Sequence, residues 1–322
     1  MKVGIVGAGL IVPQFLDAAA LVEQMEVYGL YARREEVRKE MCEKYNIPVS
    51  YDSYEKMLED PQIDVVYVAI PNILHYTFTK QALEAGKHVI LEKPFTVTYA
   101  EALELAEFAR KNKRYLFEAI TTRYNPNYLK MKELLPTLGT IKIVEFNFSQ
   151  YSSRYDAFQK GIIAPVFDPE QAGGALLDIN DYNIHAVAGL FGKPKAVRYL
   201  PNMERGVDTS GVLLMQYDSF VAICTGAKDC GAPAVANIQG IKGCMFSDSV
   251  ASKFHEFSHQ LNKCEPEHYA LEETSHRLYY ELQAFADYYE AKNEEAFEEA
   301  LQHSLLVMEI MDMARDPKNQ GL

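Results

Sequence analysis

A chain of 322 residues is longer than one hydrophobic core ordinarily serves, so two domains are expected. It holds 48% hydrophobic and 24% charged residues; its net charge of −13 and pI near 5.2 exclude nucleic acid as the main partner, since phosphate binding needs a basic face. No apolar run reaches the roughly 18 residues of a membrane span, and the chain enters a strand at once, leaving no room for a signal peptide. Its five cysteines (Cys42, Cys224, Cys230, Cys244, Cys264) are scattered without a C-x-x-C pair, so a reducing, cytoplasmic setting is the expectation.

Lys2–Val6 reads as a continuous apolar strand, followed by a glycine-containing turn and a helical segment at Gln14–Leu21. Val27–Ala32 reads as the next strand and Arg34–Tyr45 as a charged helix. Asp64–Ile70 is a β-branched strand, and His75–Ala85 a helix that stops at Gly86. His88–Leu91, Tyr99–Asn112 and Tyr115–Ala119 continue the strand–helix–strand alternation. Strands that are apolar throughout are buried on both faces, and their alternation with helices predicts right-handed crossovers in a doubly wound parallel sheet.

The pattern changes near Arg123 and places the boundary near residue 120, with an α/β Rossmann domain over 1–120 and an α+β domain over 121–322. Asn127–Leu135 reads as a helix, and Thr140–Gln150 as a strand with apolar residues at Ile141, Ile143, Phe146 and Phe148. A helix is expected around Ala175–Leu190. Strand-like stretches follow at Ala196–Leu200, Gly211–Tyr217, Phe220–Gly226, Ala234–Ile241 and Cys244–Phe246, with turn signals between them, which predicts a large, mainly antiparallel sheet. Two helices, Leu278–Ala291 and Glu295–Arg315, close the chain, and Glu294, Glu295, Glu298 and Glu299 read as a solvated face.

The chemistry begins at Gly7-Ala8-Gly9-Leu10-Ile11-Val12, directly after the first strand. The first glycine of such a turn permits the tight bend, and the second lets the backbone approach a pyrophosphate, which then lies on the N-terminal end of the next helix. The third small residue of the usual fingerprint is Val12 here, a departure that bears on helix–strand packing. If the cofactor were NAD, an acid closing the second strand would bind the ribose hydroxyls. That slot holds Ala32, followed by Arg33 and Arg34. A missing carboxylate removes repulsion against a 2′-phosphate and a guanidinium binds that phosphate bidentately, so NADP is preferred over NAD. Pro71-Asn72-Ile73-Leu74-His75 and Glu92-Lys93-Pro94 end the next two strands, where ligands of open α/β sheets bind. Pro94 biases Lys93 toward extended backbone, and a lysine there can donate to a substrate hydroxyl.

Taken together, G-A-G-L-I, P-N-x-x-H, A-G-K-H-V-x-x-E-K-P, Arg123-x-x-Pro126 and Gly173-Gly174-Ala175-Leu176-Leu177-Asp178 resemble the glucose–fructose oxidoreductase/inositol dehydrogenase (Gfo/Idh/MocA) family over roughly residues 2 to 200. The resemblance implies a Rossmann domain plus a substrate domain whose open antiparallel sheet often forms a dimer interface, hence a homodimer or higher homo-oligomer. It also implies hydride transfer between NAD(P) and a sugar, polyol or cyclic diol. The family's E-K-P lysine maps onto Lys93 and its helix aspartate onto Asp178. Where many members carry an acid/base histidine one turn later, this chain has Tyr182, which resembles the dihydrodiol dehydrogenase branch; Asn180 replaces a glycine common in the motif.

Asp178 and Tyr182 are four apart, hence on one helical face, and His185 shares it. A free tyrosine titrates at about 10, so acid/base work at neutral pH needs a nearby cation such as Lys93, with Asp178 fixing the geometry. The candidate catalytic residues are therefore Lys93, Asp178, Tyr182 and His185. The candidate cofactor residues are Gly7, Gly9, Leu10, Ile11, Arg33, Arg34, Pro71, Asn72, His75, Glu92, Lys93 and Arg123. Specificity is expected from the second domain, within Ser149–Asp168, where Tyr151, Arg154, Tyr155 and Phe158 suit a pocket wall or an interdomain loop. A non-catalytic, dinucleotide-binding regulator is the alternative, against which the intact Glu92-Lys93-Pro94 and Asp178 argue. His255-Glu256-Phe257-Ser258-His259 fits the H-E-x-x-H zinc pattern, but in a β-prone stretch the glutamate would point away, so no metal is expected.

Overall fold

The computed structural model describes residues 1–274 and 276–321. In chain order the elements are β1 (Lys2–Val6), α1 (Ile11–Ala19), β2 (Glu26–Tyr31), α2 (Glu35–Tyr45), β3 (Val49–Tyr51), α3 (Tyr54–Glu59), β4 (Val65–Val68), α4 (His75–Glu84), β5 (His88–Glu92), α5 (Tyr99–Lys111) and β6 (Leu116–Ala119). There follow α6 (Pro126–Leu134), β7 (Ile141–Ser149), α7 (Tyr155–Gln159), α8 (Ala175–Asp178), α9 (Asn180–Phe191), β8 (Ala196–Glu204), β9 (Val207–Gln216) and β10 (Val221–Ala227). The last are β11 (Val235–Gly240), β12 (Gly243–Ser247), β13 (Phe257–Leu261), β14 (Glu267–Tyr269), α10 (Tyr279–Ala291) and α11 (Glu294–Arg315). Among the described residues no helix is long and apolar enough to cross a membrane.

The chain divides into two compact units, Met1–Ala119 with His276–Leu305, and Ile120–Ser275 with Leu306–Leu322. In the first, six strands pair in parallel in the order β3-β2-β1-β4-β5-β6. The order reverses between β1 and β4, so the carboxyl ends of these strands open a crevice where such sheets bind ligands. Helices cover both faces, and Val3, Ile5, Val66, Val68, Val89 and Ile90 are at most 1% exposed, as their uninterrupted apolar runs demand. β3 and α3, absent from the sequence reading, are only three and six residues long, too short to carry a periodic signal.

One assignment is corrected. The C-terminal helical segment, expected with the second domain, packs on the first sheet as far as Leu305. Aromatic contacts drive this: Phe285 stacks on Phe117 at 4.2 Å, Phe297 on Tyr115 at 3.4 Å, and Arg110 makes a two-pronged pair with Glu298. Within that pair the Glu298 side chain stays 46% exposed.

The second unit is built on eight strands in the order β14-β13-β12-β11-β7-β10-β9-β8. Only the central pair β7–β10 is parallel; the remaining pairs are antiparallel. Val144, Phe146, Ala222, Cys224, Leu213, Met215 and Ile238 form its buried face, all fully inaccessible, with α9 packed over β7 and β10. The opposite face carries Ile143 (45% exposed) and Val221 (43%). The expected phase of β7 changes partway, because pairing with β11 skips Lys142, an extra residue that returns Ile141 to the inner face while Ile143 points outward.

Candidate functional site

In the first unit the glycine turn is sterically required. Gly7 has φ +113°, donates its amide to Tyr31 O at 2.9 Å, and a Cβ there would overlap the Ala69 carbonyl oxygen. At Gly9 a Cβ would meet nothing within 4 Å, so the turn is open on its outer side. Helix α1 starts there with no side-chain cap and no acid in its first turn, and its leading amides are those that bind an anion. Leu10 is 75% exposed and Ile11 partly buried, whereas Val12 is fully buried and replaces the fingerprint's small residue within the packing. An uncapped helix end beside an open glycine turn fits a pyrophosphate.

Past β2, Ala32 is 7% exposed and Arg33 and Arg34 are exposed, with no carboxylate in ion-pair contact with either among the described residues. Arg38, unnoticed in the sequence, is almost buried on α2: its Nη1 donates to Ala32 O at 3.1 Å and its Nε to Ser50 Oγ at 2.9 Å. It thereby shapes the bend that presents the two exposed arginines.

At the ends of β4 and β5, Pro71 is exposed and Asn72 partly so. His75 is buried, and its ring spans the two strand ends, with Nδ1 2.9 Å from Pro94 O and Nε2 2.9 Å from Ile70 O. Burial lowers its pKa, and the two carbonyls oppose that shift. Glu92 Oε1 accepts from Tyr67 Oη at 2.5 Å, and burial holds its carboxyl above the usual range. Lys93 follows, partly exposed, joined to Pro94 by a cis peptide.

Behind Glu92 lies a second acid that the sequence did not flag. Glu281 of α10 is 1% exposed, and its Oε2 has no hydrogen-bond partner among the described residues. Burial, then the charge of Glu92, pushes its carboxyl well above 4.5, with Arg277 opposing. A carboxyl raised in the folded state binds its proton more tightly there than when unfolded, so its stabilising effect is present at low pH and is lost as pH rises above 4.5. Glu281→Gln, which cannot ionise, is therefore expected to be more stable than the parent by about 1–3 kcal/mol at about pH 9 and nearly equal at about pH 5. Thermal unfolding at both pH values checks this; a gap of equal size at each would show that ionisation of Glu281 plays no part.

In the second unit Arg123 lies in a 3-10 turn, Thr121–Tyr124, which leads into α6 through the Asn125 cap. The Gly173-Gly174 pair opens α8. Gly174 has φ +124°, and a Cβ there would overlap Asp208 Oδ1. That close approach lets Asp208 accept from Leu176 N at 2.7 Å and Tyr199 Oη at 2.6 Å, fixing the turn that carries Asp178.

The helix expected through 175–190 is broken at Ile179 (φ −113°), leaving Asp178 at the end of α8 and Tyr182 in the first turn of α9. The break follows from Asn180, which replaces the motif's glycine: its amide donates to Cys224 O at 3.0 Å, and Asn183 donates to Asn180 Oδ1 and Thr225 O, tying α9 to β10. Asp178 Oδ2 accepts from Lys228 Nζ at 2.7 Å. Tyr182 is partly exposed beside Phe148, ring centroids 5.9 Å apart. His185 is 1% exposed, its Nε2 3.2 Å from Oδ1 of the equally buried Asp181. The i, i+4 spacing of Asp181 and His185 was a readable signal; nothing local pointed to Lys228 or Asp208.

Of the expected pocket wall, Tyr155 and Phe158 instead form a buried cluster with Phe167 and Val207, while Tyr151 (48% exposed) and Arg154 face outward. The zinc-like pattern dissolves. His255 precedes β13 and pairs with Glu272 at 2.8 Å, whereas His259 lies within it, buried, against Thr137 Oγ1 at 2.9 Å.

Residues 1–120 match the profile of an oxidoreductase family with an NAD-binding Rossmann fold. The chain is 31% identical over 325 residues to the scyllo-inositol 2-dehydrogenase (NADP(+)) IolU of Bacillus subtilis (strain 168), covering 100% of this chain and 98% of that protein. It is 32% identical over 251 residues to the trans-1,2-dihydrobenzene-1,2-diol dehydrogenase of Mus musculus, over 76% of this chain and 73% of the relative. Among solved structures, KijD10, a 3-ketoreductase from Actinomadura kijaniata in complex with NADP and TDP-benzene, superposes with a TM-score of 0.85 at 23% identity, over 99% of this chain and 98% of that one. Levoglucosan dehydrogenase, in complex with NADH and levoglucosan, gives 0.84 at 17% identity, over 97% and 95%. These two share the fold.

Proposed function

Belonging to the Gfo/Idh/MocA family, the chain is an NAD(P)-dependent oxidoreductase, and we propose that it takes NADP in preference to NAD and interconverts a ring hydroxyl and its ketone on a sugar, cyclic polyol or cyclic diol. The observation that carries the reading is the chain-long likeness to a dehydrogenase of a ring polyol, joined to an open, uncapped α1 end with two exposed arginines past β2.

NADP held there supplies or accepts the hydride; the rest is the chain's own work. The amides at Gly9–Ile11 face the pyrophosphate, and Arg33 with Arg34 binds the 2′-phosphate. Pro71, Asn72, Glu92 and Arg123 belong to the cofactor's surroundings, and His75 holds the Ile70 and Pro94 carbonyls in register. Tyr182 gives or takes the proton at the substrate oxygen. Lys93 donates to the reacting hydroxyl, and Asp178 fixes the geometry. His185, buried against Asp181, supports α9 from within. Self-association belongs to the same reading and is placed on the open face around Ile143 and Val221; sedimentation velocity reads it.

The test is a panel of inositols, aldoses and cyclic trans-diols with NADP, and their ketones with NADPH, followed by nicotinamide absorbance. Turnover is expected on a ring alcohol and stronger with NADP(H) than with NAD(H). Tight nucleotide binding without turnover anywhere on the panel would leave only a dinucleotide-binding regulator.

A further inference from the structure

Lys228 is the most completely enclosed lysine among the described residues of the second unit: 3% exposed, immediately after β10. A buried ammonium is costly unless paired and hydrogen-bonded, so its partners show what holds it. Its Nζ lies 2.7 Å from Asp178 Oδ2, 2.5 Å from Val166 O and 4.5 Å from the centroid of the Phe167 ring. Its backbone is equally engaged, with the amide donating to Thr209 O at 2.9 Å and the carbonyl accepting from Ser152 N at 2.9 Å.

Three of these partners, Ser152, Val166 and Phe167, belong to one stretch of chain. Ser152 begins the excursion between β7 and α8, and Val166 and Phe167 lie near its end. Between them Tyr155, Phe158 and Phe167 form a small core of their own, and Ile162 (68% exposed) and Ile163 (50%) stand at the tip. The Asp178 side chain that Lys228 holds is 32% exposed. Asp208, close behind, is already engaged by Leu176 N and Tyr199 Oη.

We propose that Lys228 is a positioning residue that fixes the Asp178 carboxylate and pins both arms of the 152–167 excursion to it, making that excursion the specificity-determining element of the second unit. A methionine would fill the same volume; the charge is needed only if carboxylate and excursion must be held together. The assignment rests on the reading of Asp178 as part of the proton-handling set.

The test uses the full chain with Lys228→Met and Lys228→Gln, the latter keeping a donor for Val166 O should the former fold poorly. Hydrogen exchange of the amides at 152–167 is expected to accelerate about 10-fold or more, with the strand amides of β7 and β9 unchanged. NADPH affinity is expected to stay within about 2-fold, while KM for the ring substrate rises about 10-fold and kcat falls about 10-fold. In an Asp178→Asn background the added loss of kcat is expected to shrink below about 2-fold, because the effect passes through that carboxylate. Native exchange together with parental kcat and KM in Lys228→Gln would overturn the proposal. If Asp178→Asn alone kept full kcat while the lysine variants loosened 152–167, the proton-handling role of Asp178 would fall and the clamp would stand.

Discussion

Tyr182→Phe and Lys93→Met are each expected to lower kcat on a ring substrate by about 100- to 10,000-fold while leaving NADPH affinity within a few-fold. The two remove different things. Phenylalanine keeps the packing of the Tyr182 ring beside Phe148 and deletes only the hydroxyl, so a loss reports proton transfer rather than shape. Methionine keeps the length of Lys93 and deletes its charge and its donors, so a loss reports the ammonium rather than shape. The double variant is expected to lose little more than either single one, the result proper to groups that serve one proton transfer. Rapid-mixing or steady-state kinetics on purified protein decides it. Full turnover in Tyr182→Phe would remove the phenol from the mechanism and turn attention to His185. That residue is enclosed and held by Asp181, so it would have to act by a relay instead of by contact.

The second large effect concerns the nucleotide. Arg33→Ala is expected to weaken NADPH binding about 10- to 100-fold and NADH binding less than about 2-fold, the span of one charge-assisted hydrogen-bond pair to phosphate. Arg33 and Arg34 are exposed, and Ala32 places no carboxylate opposite a 2′-phosphate. The preference is expected to shrink as salt is raised, since exposed charges are screened within about 10 Å at 0.1 M. Calorimetry with both nucleotides measures it. Equal losses for NADPH and NADH would place Arg33 on a part of the cofactor common to both and move the discrimination to Arg34.

The two effects also separate the halves of the reaction. Loss at Arg33 is loss of binding, uniform across substrates. Loss at Tyr182 appears only once substrate is present and reports the chemical step.

What the sequence alone determined about this protein is whatever depends on neighbours along the chain. Unbroken apolar runs can be buried only between two helical layers, so the parallel sheet was legible from Val3, Val66 and Val89 outward, and the Gly7 turn from its place after β1. Asp178, Tyr182 and Lys93 were put forward by the spacing of motifs that resemble a family. Only the tertiary structure decided what answers a residue from a distance. Asp178 meets Lys228 fifty positions on, Glu281 approaches Glu92 across a long intervening chain, and Phe285 and Phe297 return the C-terminal segment to the first sheet because Phe117 and Tyr115 offer them rings. The break at Ile179 and the outward turn of Ile143 belong to the same class, set by β10 and β11 rather than by local preference. Periodicity encodes which face of an element is buried. It does not encode which side chain waits there, and buried charges and carboxyls are defined by that partner.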